Sequence, residues 1–222
     1  MRHQRVTLLV YGMRTYFGRE VARFGRAMGH RIVGVVDTEP PPLDEPWMHG
    51  IHWAFETDPL TEQWPDGPPR AIIYCDTTLH GHRGRFEEIL VERPRRLIAR
   101  ARQLEPTPRF VLRSTVDQPL LPSGYTAHSR RAESIVAGAD IPAVILRLPL
   151  VYGPDRPDSI AAMAVLEALG RLPLASIADR TPPTMRVETA ALAALRAALE
   201  PDVSGILEPD EIARFGDVMI PQ

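Results

Sequence analysis

The fold is constrained most strongly by a repeated alternation of short apolar runs with segments of helical spacing. The apolar runs predict six buried strands, at residues 6–11, 31–37, 51–55, 71–75, 110–112 and 143–148. Helical spacing predicts helices at residues 17–28, 86–104, 125–137, 159–169 and 187–199. Strands that alternate with helices form a parallel sheet covered on both faces, and near-continuous apolar strands agree with that arrangement. The sequence therefore predicts an α/β fold, a Rossmann-like doubly wound parallel sheet in a single domain.

The chain has 222 residues, a length that suits one domain or a domain with a small appendage. We assign residues 1–154 to the Rossmann-like core and residues 155–222 to a small helical extension on the substrate side, packed on the same domain. Pro94 interrupts the helix predicted at 86–104, which predicts a kink or a restart there. After residue 201 we expect a loop-like tail with a short strand at 205–207.

Two residue types are missing from the sequence, lysine and asparagine, so the 26 residues counted as Lys or Arg are all Arg. Their absence excludes Schiff-base chemistry, a lysine general base, a P-loop lysine and any catalytic set that requires asparagine. The net charge of −2 gives no indication of a nucleic-acid partner or of a polybasic membrane contact.

Cys75 is the single cysteine, which excludes an internal disulfide and a cysteine-cluster metal site, and we assign no metal ligands. A lone cysteine is typical of a reducing compartment. No apolar run approaches the ~20 residues of a membrane span, and the apolar stretch near the N-terminus is too short for a signal peptide. These observations predict a cytoplasmic protein without a membrane partner.

A glycine-bounded turn, Gly12 to Gly18, lies between the first predicted strand and the first predicted helix. A doubly wound fold places its dinucleotide phosphates at this position, where the helix N-terminus presents amides and a positive dipole end. Gly12 would make the tight turn, and Gly18 would let the helix pack close to the strand. The predicted cofactor contacts in this turn are Gly12, Arg14, Thr15, Tyr16, Phe17 and Gly18.

Thr15 stands where the dinucleotide-binding pattern has its middle glycine. A Cβ at that point would crowd the pyrophosphate, so a βαβ turn that binds no nucleotide remains the alternative. Arg14 also has two interpretations. It either contacts a phosphate, which would admit NADP, or is a solvated loop charge.

Asp37 ends the second predicted strand, 19 residues after Gly18. An acid at this position can hydrogen-bond a ribose 2′-hydroxyl and would repel a 2′-phosphate. If the turn binds a dinucleotide, Asp37 therefore favours NAD(H) over NADP(H).

Three segments of the second half follow one another in an order that resembles a known family. Residues 109–115 form a strand that ends in Ser114-Thr115, Tyr125 begins a helix, and residues 147–154 have the pattern Arg-x-Pro-x-x-x-Gly-Pro. This order resembles the short-chain dehydrogenase/reductase superfamily, in particular its extended or atypical branch of nucleotide-sugar epimerases, dehydratases and reductases. The resemblance covers most of the chain and implies NAD(P) binding, oxidoreductase or epimerase activity and a small-molecule substrate.

The resemblance also implies roles for individual residues. Ser114 and Thr115 match the hydroxyls that orient the substrate, and Tyr125 matches the general acid or base. Ser129 occupies the position of the lysine that activates this tyrosine and binds the nicotinamide ribose. Ser129 supplies no charge, and a chain without lysine holds no substitute lysine. His128 lies at helical spacing from Tyr125 and is the candidate group to compensate.

Further contacts on the cofactor side are assigned to Asp58, Cys75 and Pro149. Cys75 has a second interpretation as a small core residue, and Asp58 as the cap of a turn. In relatives, the helices that correspond to 86–104 and 125–137 form a dimer interface, so the resemblance implies a homodimer. The arginines and glutamates of the first of these helices also suit an exposed, salt-bridged surface.

Three functions remain open at this stage. The first is an NAD(P)-dependent oxidoreductase or epimerase with a non-standard site around Tyr125. The second is a catalytically inactive Rossmann-like sensor or partner-binding module, in which Tyr125 is a partly buried helix aromatic. The third is a non-redox lyase or isomerase that uses His80, His82 or His128, which are otherwise surface or loop residues.

Overall fold

The computed structural model describes residues 5–36, 44–55, 60, 68–76, 85–118, 121–154 and 184–217, and the structural statements below concern those residues. The strands in chain order are β1 (Thr7–Tyr11), β2 (Arg31–Val36), β3 (His52–Phe55), β4 (Ala71–Tyr74), β5 (Arg109–Thr115), β6 (Ala143–Leu148), β7 (Leu150–Tyr152), β8 (Thr184–Arg186) and β9 (Gly205–Leu207). The helices are α1 (Tyr16–Ala27), α2 (Arg93–Ala101), α3 (Tyr125–Ala137), α4 (Val187–Leu199) and α5 (Pro209–Asp217).

Seven of these strands form one parallel sheet in the order β3-β2-β1-β4-β5-β6-β9, and β7 and β8 form a separate parallel pair. The strand order reverses between β1 and β4, because β2 and β3 lie on one side of β1 and the later strands on the other. A reversal of this kind opens a crevice at the carboxyl ends of the two strands. The predicted α/β class and doubly wound parallel sheet are confirmed.

Helices cover both faces of the main sheet. On one face, α1, α4 and α5 enclose a core that includes Val21 and Leu195. On the other face, α2 and α3 enclose a core that includes Phe110 and Val136. The N-termini of α1 and α3 follow the carboxyl ends of β1 and β5, so both lie at the same edge of the sheet.

The predicted interruption of the helix at 86–104 is confirmed. A π-helical turn at Glu87–Glu92 runs directly into α2, and a 3₁₀ turn at Pro46–Gly50 precedes β3. Pro94 lies in the first turn of α2, directly after the π-helical turn, so the change of helix type coincides with the residue that lacks an N–H. The helix predicted at 159–169 lies outside the described residues.

The loop-like tail predicted after residue 201 is wrong in part, because α5 occupies much of it. The helix begins with a proline, and Asp210 and Glu211 lie at the positive end of its dipole. Ile212 is fully buried, whereas most of its neighbours are polar, so the apolar period was too weak to indicate a helix. The short strand predicted at 205–207 is confirmed as β9.

The described part of the predicted extension shares the core of the main sheet. β9 pairs with β6 through Ile206 opposite Ile145, and α4 contributes most of its side chains to the core that also holds α1. The division of the chain at residue 154 stays a prediction. Within the described ranges, every helix is too short or too polar to cross a lipid bilayer.

Candidate functional site

The glycine turn between β1 and α1 is built by close backbone approach. Gly12 has a φ of 77°, and a Cβ on it would lie 2.6 Å from the backbone nitrogen of Asp76, just after β4. A Cβ on Gly18 would lie 2.3 Å from the carbonyl oxygen of Gly12. Both positions therefore require glycine, and the turn brings α1 against the carboxyl end of β1 at the reversal of strand order.

Thr15 has a structural role that the sequence did not indicate. Its Oγ1 donates to the carbonyl oxygen of Gly12 at 2.7 Å and accepts from the backbone N–H of Gly18 at 3.0 Å. Thr15 is thus the N-cap of α1, with its hydroxyl directed into the turn. The residue that departs from the glycine pattern stabilises the helix whose N-terminus would face a phosphate.

The other predicted contacts of this turn lie at different depths. Arg14 is exposed, and Phe17 is buried in the core beneath α1. Tyr16 is half-buried and packs on Gly153, where a Cβ would lie 2.0 Å from the Tyr16 hydroxyl oxygen. Gly153 belongs to the Arg-x-Pro-x-x-x-Gly-Pro segment, so this segment and the glycine turn lie side by side.

Cys75 and Pro149 are both buried, Cys75 directly after β4 and Pro149 between β6 and β7. Burial raises the pKa of the Cys75 thiol far above its ordinary value, so this cysteine stays protonated within the core. Asp37 and Asp58, the two acids assigned to the cofactor, lie outside the described residues.

Tyr125 is 1% exposed and begins α3. Phe86 packs edge-on against its ring, with the ring centroids 5.4 Å apart. The Arg113 Nη1 donates a hydrogen bond to the Tyr125 hydroxyl oxygen at 3.1 Å. The structure therefore places a cation at the tyrosine, although Ser129 provides none.

The other hydroxyls of the predicted catalytic set form bonds inside the protein. Ser129 Oγ donates to the Tyr125 carbonyl oxygen at 3.1 Å, and Ser114 Oγ donates to a carboxylate oxygen of Glu133 at 2.5 Å. Thr115 Oγ1 donates to the carbonyl oxygen of Val116 at 3.1 Å. All three side chains are buried.

Glu133 is a buried carboxylate that sequence reasoning did not assign to the site. Arg147 donates to it from Nη2 at 2.6 Å and from Nε at 3.1 Å, and Arg130 and Ser114 also donate to it. Burial by itself raises the pKa of Glu133. Hydrogen bonds from Arg147 and Ser114, with the charge of Arg130, outweigh burial and hold this pKa below its ordinary value.

A small cavity of about 10 Å³ lies between β5 and α3, with room for about one water molecule. Arg113, Ser114 and Ser129 contribute to its lining, together with Tyr74 and Leu112. Ser129, the position at which the resemblance implies a lysine, therefore borders the same cavity as Arg113.

Both ring nitrogens of His128 contact groups other than the tyrosine hydroxyl. Its Nδ1 donates to the Gly124 carbonyl oxygen at 2.6 Å, and its Nε2 lies 3.3 Å from the Glu87 carboxylate. These contacts belong to the partly exposed surface of α3 rather than to the buried site. His80 and His82 lie outside the described residues, and the part of the chain that is described holds no cluster of three metal-ligating side chains.

The exposed surface of α2 and α3 carries ion pairs, as one interpretation of the sequence expected. Arg96 pairs with Glu88, and Arg131 pairs with Glu87 at 2.5 Å. Arg93 differs, because it is buried and donates to Asp76 at 2.5 Å. The homodimer through these helices stays a prediction.

Comparisons with known proteins identify the fold. No protein-family model and no curated protein matches the sequence. Among solved structures, the chain is similar to MoeE5 in complex with UDP-glucose and NAD, at 19% identity and a TM-score of 0.62, over 96% of this chain and 82% of that one. A UDP-N-acetylglucosamine 4-epimerase from Bacillus cereus is similar at 15% identity and a TM-score of 0.62, over 94% and 82%.

A third similar structure is a short-chain dehydrogenase/reductase superfamily protein from Agrobacterium tumefaciens with bound NAD. Its identity is 16% and its TM-score 0.60, over 91% of this chain and 76% of that one. At these identities the likeness concerns the arrangement of the backbone. The chain therefore has the fold of the short-chain dehydrogenase/reductase superfamily.

Proposed function

We propose that the chain binds NAD(H) at the carboxyl ends of β1 and β4 and works as an oxidoreductase or epimerase of the short-chain dehydrogenase/reductase type. The observation that carries the proposal is the glycine turn, in which Gly12 and Gly18 bring α1 against β1 at the reversal of strand order. A helix N-terminus at such a turn is a ready anion site. NAD is bound in two of the similar structures, which supports the choice of dinucleotide.

Different residues of this chain would bind different parts of the dinucleotide. The turn at 12–18 would hold the pyrophosphate, with Arg14 exposed beside it. When bound, NAD supplies a hydride acceptor and NADH a hydride donor. The preference for NAD(H) over NADP(H) rests on Asp37, which would hydrogen-bond a ribose 2′-hydroxyl.

Tyr125 is the proposed general acid or base. Its Oη would exchange a proton with a substrate hydroxyl or carbonyl oxygen. Thr115 is the better candidate for the orienting hydroxyl, because it is bonded to a neutral carbonyl. Ser114 is bonded to the charged Glu133, which is a stronger acceptor.

Calorimetric titration with NAD, NADH, NADP and NADPH tests the binding step. We expect NAD and NADH to bind, and NADP and NADPH to bind at least about tenfold more weakly, because an acid after β2 repels a 2′-phosphate. Absence of binding for all four dinucleotides would refute the proposal.

A phenylalanine at position 125 tests the catalytic step. We expect Tyr125→Phe to abolish hydride transfer while the Kd for NAD(H) changes by less than about twofold. Transfer is followed by NADH absorbance across a panel of nucleotide sugars and simpler alcohols and ketones. Unchanged turnover in the variant would remove Tyr125 from the mechanism.

A second candidate function is a dinucleotide-binding sensor without turnover. It is favoured by the burial of Tyr125, Ser114, Thr115 and Ser129, whose hydroxyls all take part in internal hydrogen bonds. NAD(H) binding by the wild-type protein without hydride transfer to any member of the panel would support the sensor over the enzyme.

Position 15 offers a gain-of-binding test. We expect Thr15→Gly to tighten NAD(H) binding by about threefold or more, or ~0.7 kcal/mol, because removal of the Cβ lets a pyrophosphate approach the backbone. A glycine N-cap costs only a few tenths of a kcal/mol, so the fold should persist. Thr15→Ser keeps both the Cβ and the capping hydroxyl and should leave the Kd unchanged. Equal affinities for the two variants would contradict the steric argument.

A further inference from the structure

We propose that Arg113 supplies from β5 the positive charge that relatives would take from a lysine on α3, and that this charge stabilises the ionised form of Tyr125. The proposal deepens the acid–base role given to Tyr125 above and rests on it. Arg113 acts through the tyrosine, so it is a positioning residue, and it can be tested without a substrate.

The contact between the two side chains is direct. Arg113 Nη1 donates to Tyr125 Oη at 3.1 Å, and the tyrosine is 1% exposed. A positive charge acts more strongly on a neighbouring oxygen where water is excluded. A hydrogen bond from an ionised donor strengthens when its acceptor also becomes charged. The geometry therefore favours negative charge on this particular oxygen.

The positive charge of Arg113 is available to act on Tyr125, in contrast to the charges of two other arginines, which carboxylates neutralise. Arg93 and Arg147 each pair with a carboxylate. Among the described residues, no carboxylate pairs with Arg113, and its Nε is buried without a hydrogen-bond partner. A neutral phenol compensates a half-buried guanidinium incompletely. Loss of the Tyr125 proton would convert this contact into an ion pair.

The space around Ser129 shows how the arginine can replace a lysine. Ser129 and Arg113 border the same small cavity, and the Arg113 guanidinium reaches the tyrosine one helical turn before Ser129. The guanidinium also acts on the end of β4. Burial raises the pKa of the Cys75 thiol, and the charge of Arg113 opposes that rise. The cation thus lies between β4 and the start of α3.

In the proton transfer itself, the substrate hydroxyl gives its proton to the Tyr125 phenolate, or the phenol gives its proton to a substrate carbonyl oxygen. Arg113 stays protonated in both directions, because a guanidinium keeps its proton in proteins. Its contribution is electrostatic, which predicts that the charge matters more than the shape of the side chain.

The test is an ultraviolet titration of tyrosinate formation in the wild-type chain, Arg113→Gln and Arg113→Lys, without dinucleotide. The chain has five tyrosines, so each protein is compared with its own Tyr125→Phe version to isolate the Tyr125 signal. Far-UV circular dichroism at every pH marks where unfolding begins. Since no dinucleotide is present, a failure of NAD(H) binding in calorimetry leaves this result interpretable.

We expect Tyr125 to ionise in the folded wild-type chain, at a similar pH in Arg113→Lys, and only at a higher pH in Arg113→Gln. Equal titrations of the wild type and Arg113→Gln would overturn the proposal, as would a shift in Arg113→Lys as large as that in Arg113→Gln. If Arg113→Gln does not fold, the other two proteins decide. The proposal then fails if Tyr125 in either of them ionises only on unfolding.

Discussion

Replacement of Glu133 by glutamine is expected to lower the free energy of unfolding by about 3 kcal/mol at neutral pH. The carboxylate is buried and receives hydrogen bonds from Arg147, Arg130 and Ser114. A neutral amide would remove the buried counter-charge that the two guanidinium groups share, and each would keep only a second, exposed carboxylate partner. Urea denaturation of the wild type and the variant measures the difference.

The same substitution has a predicted pH dependence. The pKa of Glu133 is lowered in the folded state, so its stabilising effect is fully present above the unfolded value of ~4.3 and is lost as the pH falls through the lower folded value. The gap between wild type and Glu133→Gln should therefore shrink when unfolding is repeated near pH ~3.5. An equal gap at both pH values would contradict an electrostatic origin.

Glu88→Gln is the matched control for this experiment. Glu88 also pairs with an arginine, Arg96, and its pKa is also lowered, chiefly by the hydrogen bond from that arginine. Both side chains are exposed, so the pair is screened by solvent and is worth less than about 1 kcal/mol. A loss in Glu88→Gln as large as that in Glu133→Gln would show that burial is not the deciding factor.

Elements with strong local signals could be predicted from the sequence. α3 and α4 begin and end where the pattern predicts, and so does β6. Glycines at 124 and 138 bound α3, which explains the sharp limits of that helix. β7 and β8 could not be predicted, because each has three residues and they pair across a long stretch of sequence.

The candidate site was predictable only in part, because some of its contacts join long side chains from different elements of the fold. Ser129 could be recognised as a position without a cation, because the resemblance implies a lysine four residues after Tyr125. Arg113 could not be recognised as the replacement. Successive side chains of a strand point to opposite faces of the sheet, and Leu112 packs on the face that α2 and α3 cover. Alternation therefore predicts Arg113 on the other face, and no periodicity argument connects it with Tyr125.

Glu133 illustrates the same limit on a helix. Arg130 does not share a helix face with Tyr125, and the structure gives it another partner, Glu133, three residues later. Arg147 reaches the same carboxylate from β6. Such a cluster depends on how α3 lies across the sheet, and the sequence contains no local signal for that crossing.

Replacement of Arg109 by methionine is expected to destabilise the chain by about 3 kcal/mol. This arginine is buried at the start of β5, and its guanidinium donates to four backbone carbonyls at the end of α4 and just beyond it, those of Ala197, Glu200, Pro201 and Val203. Carbonyls at a helix C-terminus have no intrahelical donor and carry partial negative charge, so one buried cation satisfies several of them.

The consequence of Arg109→Met should also be local, because those carbonyls lie at the end of α4 and in the segment that leads to β9. Amide hydrogen exchange is expected to accelerate at the end of α4 and in β9 more than in β1, since without the guanidinium the carbonyls must recruit water. Arg95→Met is the control: Arg95 is exposed and pairs with Glu92 on the surface of α2, so its loss should cost less than about 1 kcal/mol. Equal losses in the two variants, or faster exchange in β1 than in β9, would mean that Arg109 does not fasten the C-terminal elements to the sheet.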